Sequence, residues 1–293
     1  MMDPLAQVVT LLQPGGAHTK LVTGAGQWTV RQPAGGHAYF CTVLDGGCYA
    51  EFDGHEPMTL QAGDFVLIPA SRGFTMSSVE HTSGVSIPMA PGEKRFGTPT
   101  GPSELRMMGG YFLFGSPDAE LLISLLPRSI HVQGEERLRT LVALVRDESH
   151  HERPGREMVI SRLLEVLLIE ALRSTQGTAA SPGLLRGLSD PRLSGAIREL
   201  HGHPAKPWTV ADLAKISALS RSAFFERFSR VMGISPMEYL LAWRMALAKD
   251  LLRRKVAGVG EVAERVGYAS ASTFSTAFSR YVGLAPTQYA AEA

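Results

Sequence analysis

Hydrogen-bonding side chains recur at matching positions of two segments near the C-terminal end of this 293-residue chain. Segment 220–239 is repeated at 270–289, an offset of fifty, with nine of the twenty positions identical. These positions are Ser220, Ser222, Phe224, Phe228, Ser229, Arg230, Gly233, Pro236 and Tyr239, each recurring fifty residues later. Arginine, serine and glutamate side chains on a helix can hydrogen-bond base edges in the major groove of DNA. The repeat therefore suggests two copies of one recognition element.

Each copy predicts a helix, a turn and a second helix. In the first copy, Thr209 is the expected N-cap of a helix over 210–216, and Ser220 caps the next helix, which Gly233 ends. The two shared phenylalanines of each copy are four residues apart, so they face the same side of the second helix. This is the pattern of a helix-turn-helix unit, whose second helix presents its N-terminal side chains to bases.

The second copy predicts a helix over 261–266, a turn at Gly267 and a further helix capped by Ser270. Residues 236–255 contain no breaker after Pro236, which predicts a long helix between the copies. Two units held at a fixed separation can read successive major grooves about 34 Å apart. A lone unit could equally be an ordinary helical corner, but a tandem repeat favours DNA binding.

Charge is distributed unevenly along the chain. Lys and Arg total 29 and Asp and Glu total 28, for a net charge of +1. Residues 204–293 nevertheless carry 12 basic and 7 acidic side chains, whereas residues 1–100 carry 5 and 8. The basic C-terminal part fits a nucleic-acid partner.

The N-terminal part is expected to be all-β. From Trp28 to about Met89, short apolar segments alternate with glycine and proline, which is typical of a small barrel or sandwich. Residues 39–44 and 48–52 predict two strands joined by a turn at Asp45-Gly46-Gly47. The two cysteines, Cys41 and Cys48, would flank that turn, and neither of its plausible registers allows an easy disulfide. Two buried thiols are one interpretation and a redox switch is the other.

The middle of the chain predicts two helices, at about 136–152 and 157–174. The second helix is apolar over more than one face, which indicates packing inside its own domain or a dimer interface. Residues 176–187 are the best linker candidate.

These patterns exclude several classes of protein. Two cysteines are too few for a disulfide scaffold or a zinc ribbon. No apolar segment approaches the roughly 20 residues that span a bilayer, so no membrane association is expected. The N-terminus lacks the features of a secretory signal, and a cytoplasmic protein is expected.

The C-terminal part resembles the DNA-binding domain of AraC-type (AraC/XylS) transcriptional regulators over about residues 190–293. The resemblance rests on Ala214, Ser220–Phe228, Gly233–Pro236, Val262–Tyr268, Phe274, Phe278–Arg280 and Gly283–Tyr289. It implies a regulator of transcription that binds promoter or operator DNA, with RNA polymerase as a further partner. A homodimer is expected only from the apolar width of the helix at 157–173. The base-reading positions that the resemblance implies are Arg221, Ser222, Phe225, Glu226, Ala271, Ser272, Ser275 and Thr276, with Arg230 and Arg280 on phosphates.

Those residue types suggest unequal recognition by the two units. Arg221 could pair with guanine, Glu226 with the cytosine amino group, and Phe225 with a thymine methyl. The second unit offers only small side chains, so weaker base discrimination is expected there.

The N-terminal part resembles cupins. Residues 62–69 are similar to the second cupin box, and Asp3-Pro4-Leu5, Trp28, Leu126-Pro127 and Pro154-Gly155 are similar to the sensor domain of one AraC subgroup. This resemblance covers about residues 1–175 and implies a barrel that holds a small organic effector. The candidate lining residues are His37, Tyr39, Cys41, Phe74 and Met76, and plain core packing is the alternative for each.

A metal-dependent cupin enzyme with an appended helical domain is the competing interpretation. Such enzymes bind metal through histidines of both boxes, but this chain has Phe74 at the second-box position and only His37 near the first. We therefore expect no catalytic residues, metal or cofactor. A pure interaction module is a third class, which the basic tandem repeat disfavours.

The expected fold class is multi-domain. It comprises an all-β cupin-like sensor barrel at 1–115, a helical linker or dimerisation region at 116–175, and an all-α DNA-binding domain with two helix-turn-helix units at 188–293.

Overall fold

The computed structural model describes residues 3–35, 37–54, 56–70, 73–78, 85–86, 94–116, 119–124, 126–174 and 183–292. The strands are β1 (Pro14–Ala25), β2 (Thr29–Gln32), β3 (Ala38–Phe52), β4 (Met58–Gln61), β5 (Asp64–Ile68), β6 (Phe74–Ser77), β7 (Val85–Ser86), β8 (Lys94–Gly97), β9 (Leu105–Phe114) and β10 (Ile130–Gln133). The helices are α1 (Pro4–Leu12), α2 (Ala119–Ser124), α3 (Glu136–His150), α4 (Arg156–Ser174), α5 (Leu184–Ser189), α6 (Ser194–Gly202), α7 (Val210–Ile216), α8 (Arg221–Met232), α9 (Pro236–Arg253), α10 (Val259–Arg265), α11 (Ala271–Val282) and α12 (Pro286–Glu292).

These elements form two compact units. The strand unit contains β1 to β10 together with α3 and α4, and the helical unit contains α1, α2 and α5 to α12. The predicted fold class, a cupin-like barrel sheet and an all-α C-terminal region, is confirmed.

The long strand β3 organises the sheet of the strand unit. Its first half, Tyr39–Thr42, pairs antiparallel with β5, and residues Ala38–Gly46 pair with β9 on the other side. Its second half pairs with β4 and β6 instead. Because one strand changes partners along its length, the sheet curves around a core to which Tyr39, Cys41 and Val43 of β3 contribute.

The predicted turn at Asp45-Gly46-Gly47 was wrong, since β3 continues through it. Gly46 has a φ of +74°, and the register with β9 shifts between Val43 and Asp45, so the strand bends at a bulge. A Cβ on Gly46 would overlap the carbonyl oxygen of Glu104, and one on Gly47 would lie 2.7 Å from that of Leu60. The glycines therefore allow close backbone approach on both sides of β3, and the chain does not reverse.

The two middle helices are confirmed, and both pack inside the strand unit. Ile160, Leu164 and Leu168 of α4 are buried. Ser161 Oγ donates a hydrogen bond to the Pro14 carbonyl oxygen of β1 at 3.0 Å. One apolar face of α4 is thus covered by its own unit.

The two units differ from the sequence boundaries in three places. Helix α1, expected with the barrel, belongs to the helical unit. The segment 116–175 is not entirely helical, because β10 lies within it and pairs with β5. Of the expected linker, residues 176–182 lie outside the described residues, while the remainder is not irregular because α5 begins at Leu184.

Candidate nucleic-acid interface and internal cavity

Side-chain caps and a glycine set the helix ends of the first helix-turn-helix unit, which consists of α7 and α8. Thr209 caps α7 in a capping box, in which its side chain and that of Asp212 each accept a backbone N–H of the other. Ser220 Oγ accepts the N–H of Ala223 at 3.2 Å and starts α8, and Gly233 ends it with a φ of +80°. Each N-cap contributes about 1 kcal/mol to helix stability.

In the second unit, α10 and α11, the second helix repeats this geometry, whereas α10 has Gly258 as its N-cap residue and no side-chain cap. Ser270 Oγ accepts the N–H of Thr273 at 3.2 Å, and Gly283 ends α11 with a φ of +85°. Helix α10 starts at Val259, two residues earlier than predicted. Gly267 lies in the turn with a φ of +84°, and a Cβ there would lie 2.7 Å from the Ala205 carbonyl oxygen. Glycine is therefore required at this position.

Each of the two units contains its own aromatic cluster, and the two clusters have the same arrangement. Phe228 lies 5.6 Å from Phe224 and 5.8 Å from Tyr239, measured between ring centroids. The corresponding distances in the second unit, from Phe278 to Phe274 and to Tyr289, are 5.4 and 5.6 Å. All four phenylalanines are fully buried. The repeat seen in the sequence is thus a repeated core.

The opposite face of each second helix is open to solvent. All the predicted base-reading and phosphate positions are exposed except Ser275, which is half-buried. Phe225 is 45% exposed, so its ring is accessible to a base. Among the residues that the structure describes, Arg230 and Arg280 have no ion-pair partner, so both guanidinium groups are available to phosphates.

The hydroxyl groups of α11 are partly used within the helix. Ser275 Oγ donates to the Ala271 carbonyl oxygen at 2.7 Å, and Thr276 Oγ1 donates to that of Ser272 at 3.1 Å. In these rotamers the two hydroxyls can only accept hydrogen bonds from a base. This agrees with the weaker base discrimination expected of the second unit.

An ion pair that the sequence did not reveal fixes one side of α8. Arg227 donates from Nε and Nη2 to Asp190 Oδ2, both at 2.9 Å. Burial alone would raise the pKa of the Asp190 carboxyl. Hydrogen bonds from Arg227 and from two backbone N–H groups outweigh burial and lower that pKa. Arg227 is therefore a structural neighbour of the exposed Glu226 and not part of the open face.

The strand unit contains a narrow cavity. Three of the five predicted lining residues, Tyr39, Phe74 and Met76, contribute to its wall. The space between the lining atoms is about 420 Å³ when the open mouth is included, but a water molecule's centre can reach only about 20 Å³ of it. The cavity is a slit with room for about one water molecule.

The other two predicted lining residues lie elsewhere. The His37 ring stacks on Tyr111 with centroids 5.3 Å apart, outside the cavity wall. Cys41 is 1% exposed within the core of the strand unit, and Cys48 is 3% exposed in the same core. Two polar residues that the sequence analysis missed, Lys20 and Gln32, do line the cavity.

Both thiols are free and unreactive in character. Burial raises the pKa of Cys41 and that of Cys48 to about 12, and the neighbouring Cys48 thiol adds to the shift of Cys41. A thiol with so high a pKa is almost entirely protonated at neutral pH, whereas the thiolate is the nucleophile.

The described residues contain no candidate metal centre and no candidate membrane span. No group of three or more His, Cys, Asp and Glu side chains in these ranges could hold a metal ion. No helix among them is long and apolar enough to cross a membrane.

Two family models match this chain, one over its N-terminal part and one over its C-terminal part. A family model described as Cupin matches residues 3–176, and one described as Helix-turn-helix domain matches residues 213–292.

Individual relatives match over the full length. A putative AraC-like transcription regulator of Streptomyces lividans is 35% identical, with 98% of each chain covered. The HTH-type transcriptional regulator AlkR of Acinetobacter baylyi is 28% identical, covering 98% of this chain and 99% of that one. Among solved structures, the DNA-binding domain of AdpA in complex with a target DNA is 30% identical, covers 35% of this chain and 92% of that one, and has a TM-score of 0.33. The chain belongs to the AraC-type family of DNA-binding transcriptional regulators and carries a cupin domain.

Proposed function

We propose that this regulator inserts α8 and α11 into two successive major grooves of one DNA duplex, under the control of a small molecule bound in the strand unit. The observation that carries the proposal is the duplicated unit, with its caps, aromatic cluster and open face, joined by the single helix α9. Eighteen residues of helix are about 27 Å long. That length is comparable to the roughly 34 Å between successive grooves on one face of DNA.

Recognition is expected to be divided unequally between the helices. Helix α8 presents Arg221, Phe225 and Glu226, which can address guanine, thymine and cytosine. Helix α11 presents small side chains, so its contribution comes mainly from phosphate contacts and DNA shape. The preferred site would therefore contain one strongly and one weakly defined element.

The cupin domain has a binding role in this proposal and not a catalytic one. Phe74, which stands where a metal-binding cupin would have a histidine, packs against Tyr39 with ring centroids 4.3 Å apart. An effector can switch DNA binding only if it binds unequally to two arrangements of the protein. Cytoplasmic location and assembly as a homodimer are part of the same proposal. The exposed Met158, Val159 and Val166 of α4 are the candidate dimer surface.

The test is selection of bound fragments from sheared genomic DNA of the source organism at two salt concentrations. We expect fragments that share two short elements about 10 base pairs apart. Fragments with a single element would contradict the two-groove arrangement. Arg230→Ala and Arg280→Ala should each reduce the salt dependence of affinity by about one phosphate contact. Arg139→Ala, which removes an exposed charge of the strand unit, is the matched control and should leave it unchanged.

A further inference from the structure

We propose that the cavity of the strand unit binds a small apolar carboxylate, with the carboxylate at Lys20 and Gln32. The apolar body of this ligand would lie between Trp28, Phe74 and Met76. The inference rests on the proposed small-molecule control and names the class of molecule that exerts it.

Lys20 is a cation without a counter-charge. Its side chain lies on β1, half-buried, and lines the cavity. In the described part of the chain no acidic side chain forms an ion pair with it. Burial lowers the pKa of Lys20, and the ammonium group of Lys94, on the neighbouring β8, acts in the same direction. A bound anion would relieve both effects, because it supplies the missing opposite charge in a poorly solvated place.

Gln32 supplies the second polar group. It is 5% exposed on β2 and lines the same cavity as Lys20. Its backbone pairs with Phe74 of β6, so the sheet does not require the side-chain amide. A carboxylate has two oxygens, of which one can accept from the Lys20 ammonium and the other from the Gln32 amide N–H.

The rest of the wall favours an apolar body. Trp28, Phe74 and Met76 are each at most 9% exposed, and Val22 and Val30 complete this side of the cavity. Ligand sites commonly combine such a wall with a few convergent polar groups. The charge placement selects an anion in preference to a neutral molecule of the same shape.

The narrowness of the cavity constrains the ligand further. Only about 20 Å³ is open to the centre of a water molecule, so side chains must move to admit a ligand. Met76 and Met107 line the cavity, and methionine is unbranched and adapts its shape readily. A slender carboxylate such as a medium-length aliphatic acid demands the smallest displacement.

The experiment is calorimetric titration of the full chain with octanoate and with octanamide, which share their shape and differ in charge. We expect octanoate to bind about tenfold more tightly or better, as a charge-assisted hydrogen bond in a poorly solvated site implies. Lys20→Met should remove this preference while leaving octanamide binding within about twofold. Lys20→Arg retains the positive charge and should therefore retain part of the preference for octanoate. Thermal unfolding of each variant checks that the fold is intact.

Three results would overturn the proposal: equal affinity of wild type for the two probes, a preference that survives Lys20→Met, or no binding of either probe. DNA binding measured on the same samples separates this proposal from the preceding one. Equal affinity of the wild type for octanoate and octanamide, with intact DNA binding, refutes the ligand class alone. Octanoate binding that leaves DNA affinity unchanged supports the cavity site and contradicts its regulatory role.

Discussion

Acidification should destabilise the helical unit through His201, a histidine that is only 2% exposed. Its Nδ1 lies 2.9 Å from Gln7 Oε1, and its Nε2 lies 2.6 Å from the Tyr239 hydroxyl. The neutral ring satisfies both partners, since Nδ1–H donates to Gln7 and Nε2 accepts from Tyr239. The ring also stacks on Trp243 with centroids 4.1 Å apart. The side chain of His201 therefore links Gln7 of α1 with Tyr239 of α9.

The magnitude follows from the pKa of His201. Burial lowers it from 6.5 to about 3, although the Asp3 carboxylate acts in the opposite direction. At pH values well above 6.5 the ring is neutral in both folded and unfolded chains, so it contributes no pH dependence there. Below that pH the unfolded chain takes up a proton that the folded chain refuses. At pH 5 this difference lowers the free energy of unfolding by about 2 kcal/mol, and the effect grows until the pH approaches 3.

The assay is urea unfolding at pH 7.5 and pH 5.0, followed through the fluorescence of the tryptophans in wild type and in His201→Gln. The variant cannot titrate, so wild type should lose about 2 kcal/mol more than the variant between the two pH values. His203→Gln is the matched control, because that neighbouring side chain is 61% exposed and should reproduce the wild-type loss. Equal losses in wild type and His201→Gln would refute the reasoning.

Three further expectations follow from the same structure. Phe228→Ala should lower the free energy of unfolding of the helical unit by about 3–5 kcal/mol, because it opens a cavity in a fully buried aromatic cluster. Denaturant titration measures this free energy, and a loss below about 1 kcal/mol would contradict the packing. Arg221→Ala and Glu226→Gln should each weaken the preference for one base by about 1–3 kcal/mol without unfolding the protein. Affinities for a panel of mutated DNA sites measure this, and a uniform loss across all sites would instead indicate phosphate contacts. Cys41 and Cys48 should resist alkylation by iodoacetamide at pH 8 in the folded chain and react at once in urea, because burial holds both pKa values at about 12; rapid labelling of the folded protein would contradict their burial.

The helical unit could be predicted from the sequence because its signals are local. The caps at Thr209, Ser220 and Ser270 and the glycine that ends each second helix act within a few residues of where they stand in the chain. The pair of phenylalanines four residues apart defines a buried face for the same reason. Because the repeat carries the same capping and core residues in both copies, the helices of both units form close to where the sequence predicts them.

The strand unit was harder to predict because its signals are non-local. A glycine pair after an aspartate is a common turn, yet β3 runs through Gly46 and Gly47, since β9 and β4 approach it there. The residues adjacent to Gly46 and Gly47 in the sequence do not indicate that two other strands pair with β3 at this point. The same error placed Cys41 and Cys48 across a turn, when both lie on one strand.

The amino-acid sequence by itself indicated a DNA-binding protein of two parts, because charge distribution, repeat and helix caps can all be identified along the chain. The role in regulating transcription came from the resemblance to AraC-type regulators. Only the tertiary structure decided that α1 belongs to the helical unit, where Gln7 hydrogen-bonds His201, and that Lys20 and Gln32 line one cavity. Lys20 and Gln32 lie on different strands, β1 and β2, and nothing in the spacing of their positions indicates a shared site. The physical reason is that a strand's side chains acquire their surroundings from pairing between distant segments, whereas a helix cap is completed by its own neighbours.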